Sequence, residues 1–188
     1  MNKLLLAGLL AAGTITAHAE VATYVIDPSH TSVTFEMTHF GTSTLRGRFD
    51  RKDGVVMLDK AGKSGTAEIT IDAASGSTGV ASLDGALKGK NLFNAAEFAS
   101  MKFSADKFSF NGDKVSEVAG TLTLLGKTQP VTLKAINFNC YTSPVVQREV
   151  CGGDFETTIV RSQYGMTYGQ NFISDNIHLL IQIEAIKQ

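Results

Sequence analysis

The stretch TSVTFEMTHFGTSTLRGRF, residues 31–49, decides the fold. Its first half alternates: Val33, Phe35 and Met37 share one side, Thr34, Glu36 and Thr38 the other. A period of two is the mark of a strand with one dry face. His39 then falls on the apolar side. The second half repeats the pattern, with Leu45, Gly47 and Phe49 against Arg46 and Arg48. Two such strands make an apolar stripe, the wall of either a filled core or a pocket.

The same reading extends outward. GVVML, GTAEITIDA, SMKFSADKFSF, KVSEVAGTLTLL, PVTLKAINFNC, DFETTIV and NIHLLIQIEAI are strand-like. Ala67, Ile69 and Ile71, and later Ile177, Leu179, Ile181 and Ile183, each fill one face, with Glu68, Thr70, His178, Gln182 and Glu184 opposite. KDG (52–54), NGD (111–113) and GKTQP (126–130) are expected turns. Strands do not alternate with helices, which disfavours a parallel sheet. The chain reads as all-β with a short helical insertion. About eight antiparallel strands need their edges closed, and an eight-stranded antiparallel β-barrel does that. A two-sheet sandwich is the alternative. Gly47 and Gly120, on or near inward faces, add room or mark bends. The insertion is VASLDGALKGKNLFNAAEF (80–98), where Leu83 and Leu87, four apart, share a face if helical. It either closes one end of the barrel or packs outside it.

The 188 residues fit one domain. Residues 1–19 have Lys3, a short apolar run and the small-x-small Ala17-His18-Ala19, the pattern of a cleaved secretory signal peptide. The rival reading, a membrane anchor, lacks the length. The domain is therefore expected at 20–188, exported and without stable membrane insertion. A net charge of −1 with no basic run disfavours nucleic acid as a partner. Charged residues are only 19%, while Phe (11) and Met (5) supply apolar volume suited to a core or a hydrocarbon cavity. Cys140 and Cys151 are expected to form a disulfide in an oxidising compartment; the alternative is two buried thiols.

Chemistry-bearing motifs are weak. AGKSG (61–65) lacks the first glycine of a phosphate loop, since Met57 stands there. DPSH (27–30) puts Ser29 and His30 on opposite faces of an extended chain and suits a turn better than a catalytic triad. His30, His39 and His178 lack metal-ligand spacing. His39 is either a core residue bonded to backbone or a polar group at the end of a pocket. In IVRSQYGMTYGQNF (159–172), Arg161 stands beside Tyr164, Tyr168 and Phe172. That segment is a loop with a surface arginine or a mouth loop laying aromatic rings over an opening. No catalytic residue and no metal site is assigned.

IDPSHTSVTFEMTHFGTSTLRGRF, ITIDAAS, LDGALKGKNLFNAAEFASMKF, GTLTLLGKTQPVTL, FNCYTSPVVQREVCGGD and IVRSQYGM, in that order, resemble the YceI-like family. The resemblance implies a lipocalin-like barrel around a long isoprenoid lipid such as a polyprenyl quinone, in a periplasmic protein that forms a homodimer. The positions it implies for the ligand are Phe35, Met37, His39, Phe49, Ile69, Phe103, Leu122, Leu133 and Leu179. Ile181, from the C-terminal stripe, and Tyr164, from the mouth loop, join them. The chain departs from the family pattern at LDGAL, where Leu83 and Ala86 replace Arg and His, and at RSQYG, with Gln163 and Tyr164. The expected function is a non-enzymatic binding protein, without cofactor, that carries, stores or sequesters the lipid. The alternatives are a lipid- or quinone-modifying enzyme using His39 or Arg161, and a solid-barrel stress or interaction protein.

Overall fold

The computed structural model describes residues 21–188. The expected signal peptide and its cleavage point lie outside the described residues. The elements are β1 (Ala22–Ile26), β2 (Ser32–His39), β3 (Ser43–Phe49), β4 (Lys52–Asp59), β5 (Ser64–Asp72), β6 (Gly76–Ser77), α1 (Ala81–Lys88), β7 (Ser100–Asn111), β8 (Lys114–Leu124), β9 (Lys127–Thr142), β10 (Glu149–Val160) and β11 (Asn176–Lys187). Strands run in the order β1-β4-β5-β7-β8-β9-β10-β11, and pairing of β11 with β1 closes the ring. This is a closed eight-stranded antiparallel barrel, and closure excludes the sandwich. β11 is shared. Its residues 185–187 pair with β1 and its residues 178–182 with β2, so β2 continues β1 along the wall. Between them Asp27–Thr31 bulges outward, and Asp27 N–H and Thr31 Oγ1 both return to Glu184 O.

Two expected turns are shorter or elsewhere. Lys52–Gly54 belongs to β4 and pairs with Ile69–Ile71, while the break falls at Asp50–Arg51. A Cβ on Gly54 would stand 2.4 Å from Glu68 O, so this glycine serves close strand approach. Of the GKTQP segment only Gly126 turns, with Leu125 before it, both at positive φ. Lys127–Pro130 starts β9, where Pro130 lies opposite Thr121 of β8. β10 pairs with β9 only from Lys134 onward, so the missing N–H of Pro130 faces no ladder. β1 was not read from the sequence at all.

The dry face does not keep one parity. In β7 it runs Met101, Phe103, Ala105, then Phe108 and Phe110, because the register shifts between Ala105 and Lys107. In β9 it runs Val131, Leu133, Ala135, then Phe138, beside a shift at Asp154/Phe155. Each bulge adds a residue and bends the strand, which a small barrel needs to close. Gly120 sits against the β7 bulge, where a Cβ would meet Ser104 O at 2.2 Å. Gly47 faces Phe35 across β2–β3, and a Cβ there would meet the ring at 2.2 Å. Phe35 thus occupies the space Gly47 leaves.

α1 presents Leu87 (3% exposed) to the barrel but leaves Leu83 40% exposed, so the two leucines do not share a buried face. An eight-residue helix offers the wall about one dry position per turn. Leu92 and Phe93 follow in the loop and pack on the core, with Phe93 edge-on to Phe49 at 5.1 Å. The insertion therefore caps the barrel. At the opposite end Cys140 and Cys151, directly paired across β9–β10, form a disulfide below the 143–148 loop.

Candidate functional site

Inward side chains leave two apolar chambers. The larger, about 130 Å³, lies toward the disulfide end and is bounded by Tyr24, Phe103, Phe108, Val115, Phe138 and Cys151 among others. The smaller, about 70 Å³, lies toward the cap, between Phe35, Met37, Phe49, Phe93, Met166 and Ile173. Val33, Ile71, Leu122 and Leu179 border both, so one waist of four aliphatic side chains separates them. Apolar cavities of roughly 150 Å³ stay dry and take up benzene-sized guests. The larger chamber therefore has room for a short piece of hydrocarbon, and the four waist side chains close the path from it to the smaller one.

Nine of the eleven positions expected at a ligand border a chamber. Phe35, Met37 and Phe49 border the smaller, Ile69, Phe103, Leu133 and Ile181 the larger, and Leu122 and Leu179 both. His39 borders neither. It is exposed, because β2 runs past the rim before reaching it; its ring lies edge-on to Phe40 (4.8 Å) and Phe172 (6.3 Å). Tyr164 also borders neither and is buried in the wall, where burial pushes its phenol pKa up. Sequence reasoning missed Tyr24, whose strand is short, and Phe108, whose parity follows the bulge. The spacing of apolar residues at 101, 103, 105, 108 and 110 was the available signal for the latter.

Few polar groups approach the interior. Tyr24 donates its hydroxyl to Glu149 Oε1 (2.5 Å), and Glu149 also pairs with Lys60 of the β4–β5 turn. Burial raises the Glu149 carboxyl, but Lys60 and Tyr24 outweigh it and hold it below the usual range. These contacts latch the disulfide end shut.

At the cap, Arg161 is 2% exposed rather than on the surface. Its Nε donates to Ser174 O (3.0 Å), Nη1 to Met166 O and Tyr168 O (2.8 Å each), and Nη2 to Ile173 O (3.1 Å). Burial draws its pKa down, and Asp175 pulls it back. The cation is committed to four carbonyls of the 165–174 loop, which it folds into a roof over the smaller chamber.

Among the described residues no histidine borders either chamber, and the one hydroxyl there that meets a carboxylate, Tyr24, is held in the latch with Glu149. DPSH is a turn in which Asp27 Oδ1 accepts from Ser29 Oγ (2.6 Å) and Asp27 Oδ2 contacts His30 Nδ1 (2.7 Å). Ser29 Oγ also approaches His30 Nδ1 at 3.2 Å, contrary to the opposite-face expectation. A triad needs both ring nitrogens; here both partners meet Nδ1, outside the barrel. Among the described residues no three His, Cys, Asp or Glu side chains group as a metal site.

A model of the YceI-like domain matches residues 24–185. A UPF0312 protein of Shewanella denitrificans is 32% identical over 192 residues, covering 100% of both chains. The crystal structure of Burkholderia cenocepacia BcnA superposes with a TM-score of 0.71 at 22% identity, over 85% of this chain and 99% of that one. A polyisoprenoid binding domain from Saccharophagus degradans superposes with a TM-score of 0.61 at 16% identity, over 90% and 100%.

Proposed function

The chain belongs to the YceI-like family, and from that premise we propose that it is a binding protein that holds a long isoprenoid or other long-chain lipid inside its barrel. The observation that carries the reading is the pair of apolar chambers in line, separated only by Val33, Ile71, Leu122 and Leu179. A linear apolar guest suits such a shape. Each CH₂ removed from water contributes about 0.8 kcal/mol, so a tail of this kind binds without specific polar chemistry. The polyisoprenoid binding domain of Saccharophagus degradans, a fold neighbour, supports the ligand class. The protein acts by retention rather than turnover. Exported to the periplasm, with its disulfide formed, it carries, stores or sequesters its lipid there.

Native extraction tests this. The protein is purified from its own cells, extracted with organic solvent and analysed by mass spectrometry. A stoichiometric polyprenyl compound is the expected result, and it names the cargo. Leu122→Trp, at the waist, is expected to abolish retention while costing about 1–3 kcal/mol of stability. A protein that arrives empty and takes up no added polyprenyl quinone overturns the reading in favour of a solid barrel.

A further inference from the structure

The capped end of the barrel is rimmed by aromatic rings that the fold does not need. Thr42 N–H donates to His39 O (2.9 Å) across a turn whose two central residues, Phe40 and Gly41, have φ of 50° and 65°. Turns with both central residues at positive φ favour Asn-Gly, and a bulky L residue there is strained by about 1 kcal/mol or more. This chain has Phe, 67% exposed, so burial gives nothing back. Phe172 stacks on Phe40 at 5.6 Å, and Tyr168, half exposed, meets Phe172 edge-on at 6.0 Å.

The rings and the roof are one unit. Phe40 N–H donates to Phe172 O (2.8 Å), and Ser174 N–H to Thr38 O (3.0 Å). The roof that carries Tyr168 and Phe172 outside turns Met166 and Ile173 toward the smaller chamber. The segments that carry the rings hold no charged side chain of their own, while Lys127 lies beside Gly165 and Asp175 accepts from Ser162 at the base of the roof. Residues 38–45 contain no Asp, Glu, Lys or Arg, nor do residues 162–174. Exposed aromatic rings among neutral hydrogen-bonding groups match the chemistry of the bilayer interface, where Tyr and aromatic side chains concentrate.

We propose that this rim is a membrane-docking surface. Phe40, Tyr168 and Phe172 enter the boundary between headgroups and acyl chains and set the smaller chamber against the lipid phase. Docking is peripheral and reversible, since three rings bury little area. It uses hydrophobic contact rather than charge, so it does not select anionic lipid. It stands on the rim alone and does not require that the cargo be an isoprenoid.

The test uses the full exported chain and sized vesicles of phosphatidylcholine containing no isoprenoid. Co-flotation of the wild-type protein is expected, insensitive to added salt. Phe40→Asn and Tyr168→Ser are each expected to weaken partitioning about tenfold. Phe40→Asn puts the favoured residue in the turn, so its thermal midpoint is expected to hold or rise while vesicle binding falls. That opposition separates docking from misfolding. The chain has no tryptophan, so Phe40→Trp supplies a single reporter, expected to shift to the blue with vesicles and to be quenched by brominated lipid. Wild-type protein that does not float, or Phe40→Asn floating equally well, overturns the proposal. So does a dimer that Phe40→Asn dissolves without any vesicle binding, which assigns the rim to a second copy. An empty barrel that still floats would instead refute the cargo reading and leave docking intact.

Discussion

At the scale of the residue, the exposed DPSH turn is a small electrostatic device. Hydrogen bonds from Ser29, then His30, hold the Asp27 carboxyl at about 2. In return the Asp27 hydrogen bond raises the His30 imidazole above its ordinary 6.5. The signs follow. Asp27, depressed when folded, stabilises above pH 3.8 and loses this as pH falls toward 2. His30, raised when folded, stabilises below pH 6.5 and loses this as pH climbs through its raised value. The pair is fully formed between those limits. Asp27→Asn is expected to return His30 to the ordinary imidazole range and to shrink the loss of stability below pH 4, read by NMR titration and by denaturation at several pH values. Most side chains at the chambers were legible in the sequence because alternation gives direction: Phe35 and Leu179 point where period two says. His39 and Tyr164 were not. Alternation tells which side a residue takes, but not where the barrel ends or whether a loop residue turns into the wall.

At the scale of the element, three connections divide the work. The roof loop is held from within by Arg161, whose four carbonyl partners no sequence pattern announces. The α1 cap was visible as a break in β-branched residues, but not its single buried leucine. The β9–β10 hairpin is held by its disulfide, and the expected export together with the two cysteines was enough to expect it. The bridge joins directly opposed residues and closes a short loop, so most of its effect falls on the unfolded chain. Replacing both cysteines by alanine is expected to cost about 3 kcal/mol, seen as a lower urea midpoint. Free-thiol titration of the unreduced protein is expected to find none. Strand boundaries were less legible than strand existence. Gly54 and Pro130 look like turn residues, yet each sits in a strand at a place where close approach or an unpaired edge tolerates it.

For the molecule as a whole, alternation over many strands implied closure, and the sheet does close. What alternation could not convey is how, because pairing between β1 and β11 joins the two ends of the domain. That arrangement sets an order of events. A chain that emerges amino end first makes β1 and β2 early and must hold them open until β11, the last of the eleven strands among the described residues, is free. Until then the ring has a gap, and the edges of β10, β1 and β2 that await β11 stand unpaired. Such edges invite pairing with other chains. A chain cut before Asn176 is therefore expected to aggregate rather than fold, recovered in the pellet when produced beside the soluble full chain. Maturation then finishes with one late insertion, a slat slid between two waiting neighbours, and only after it does an inside exist to be filled.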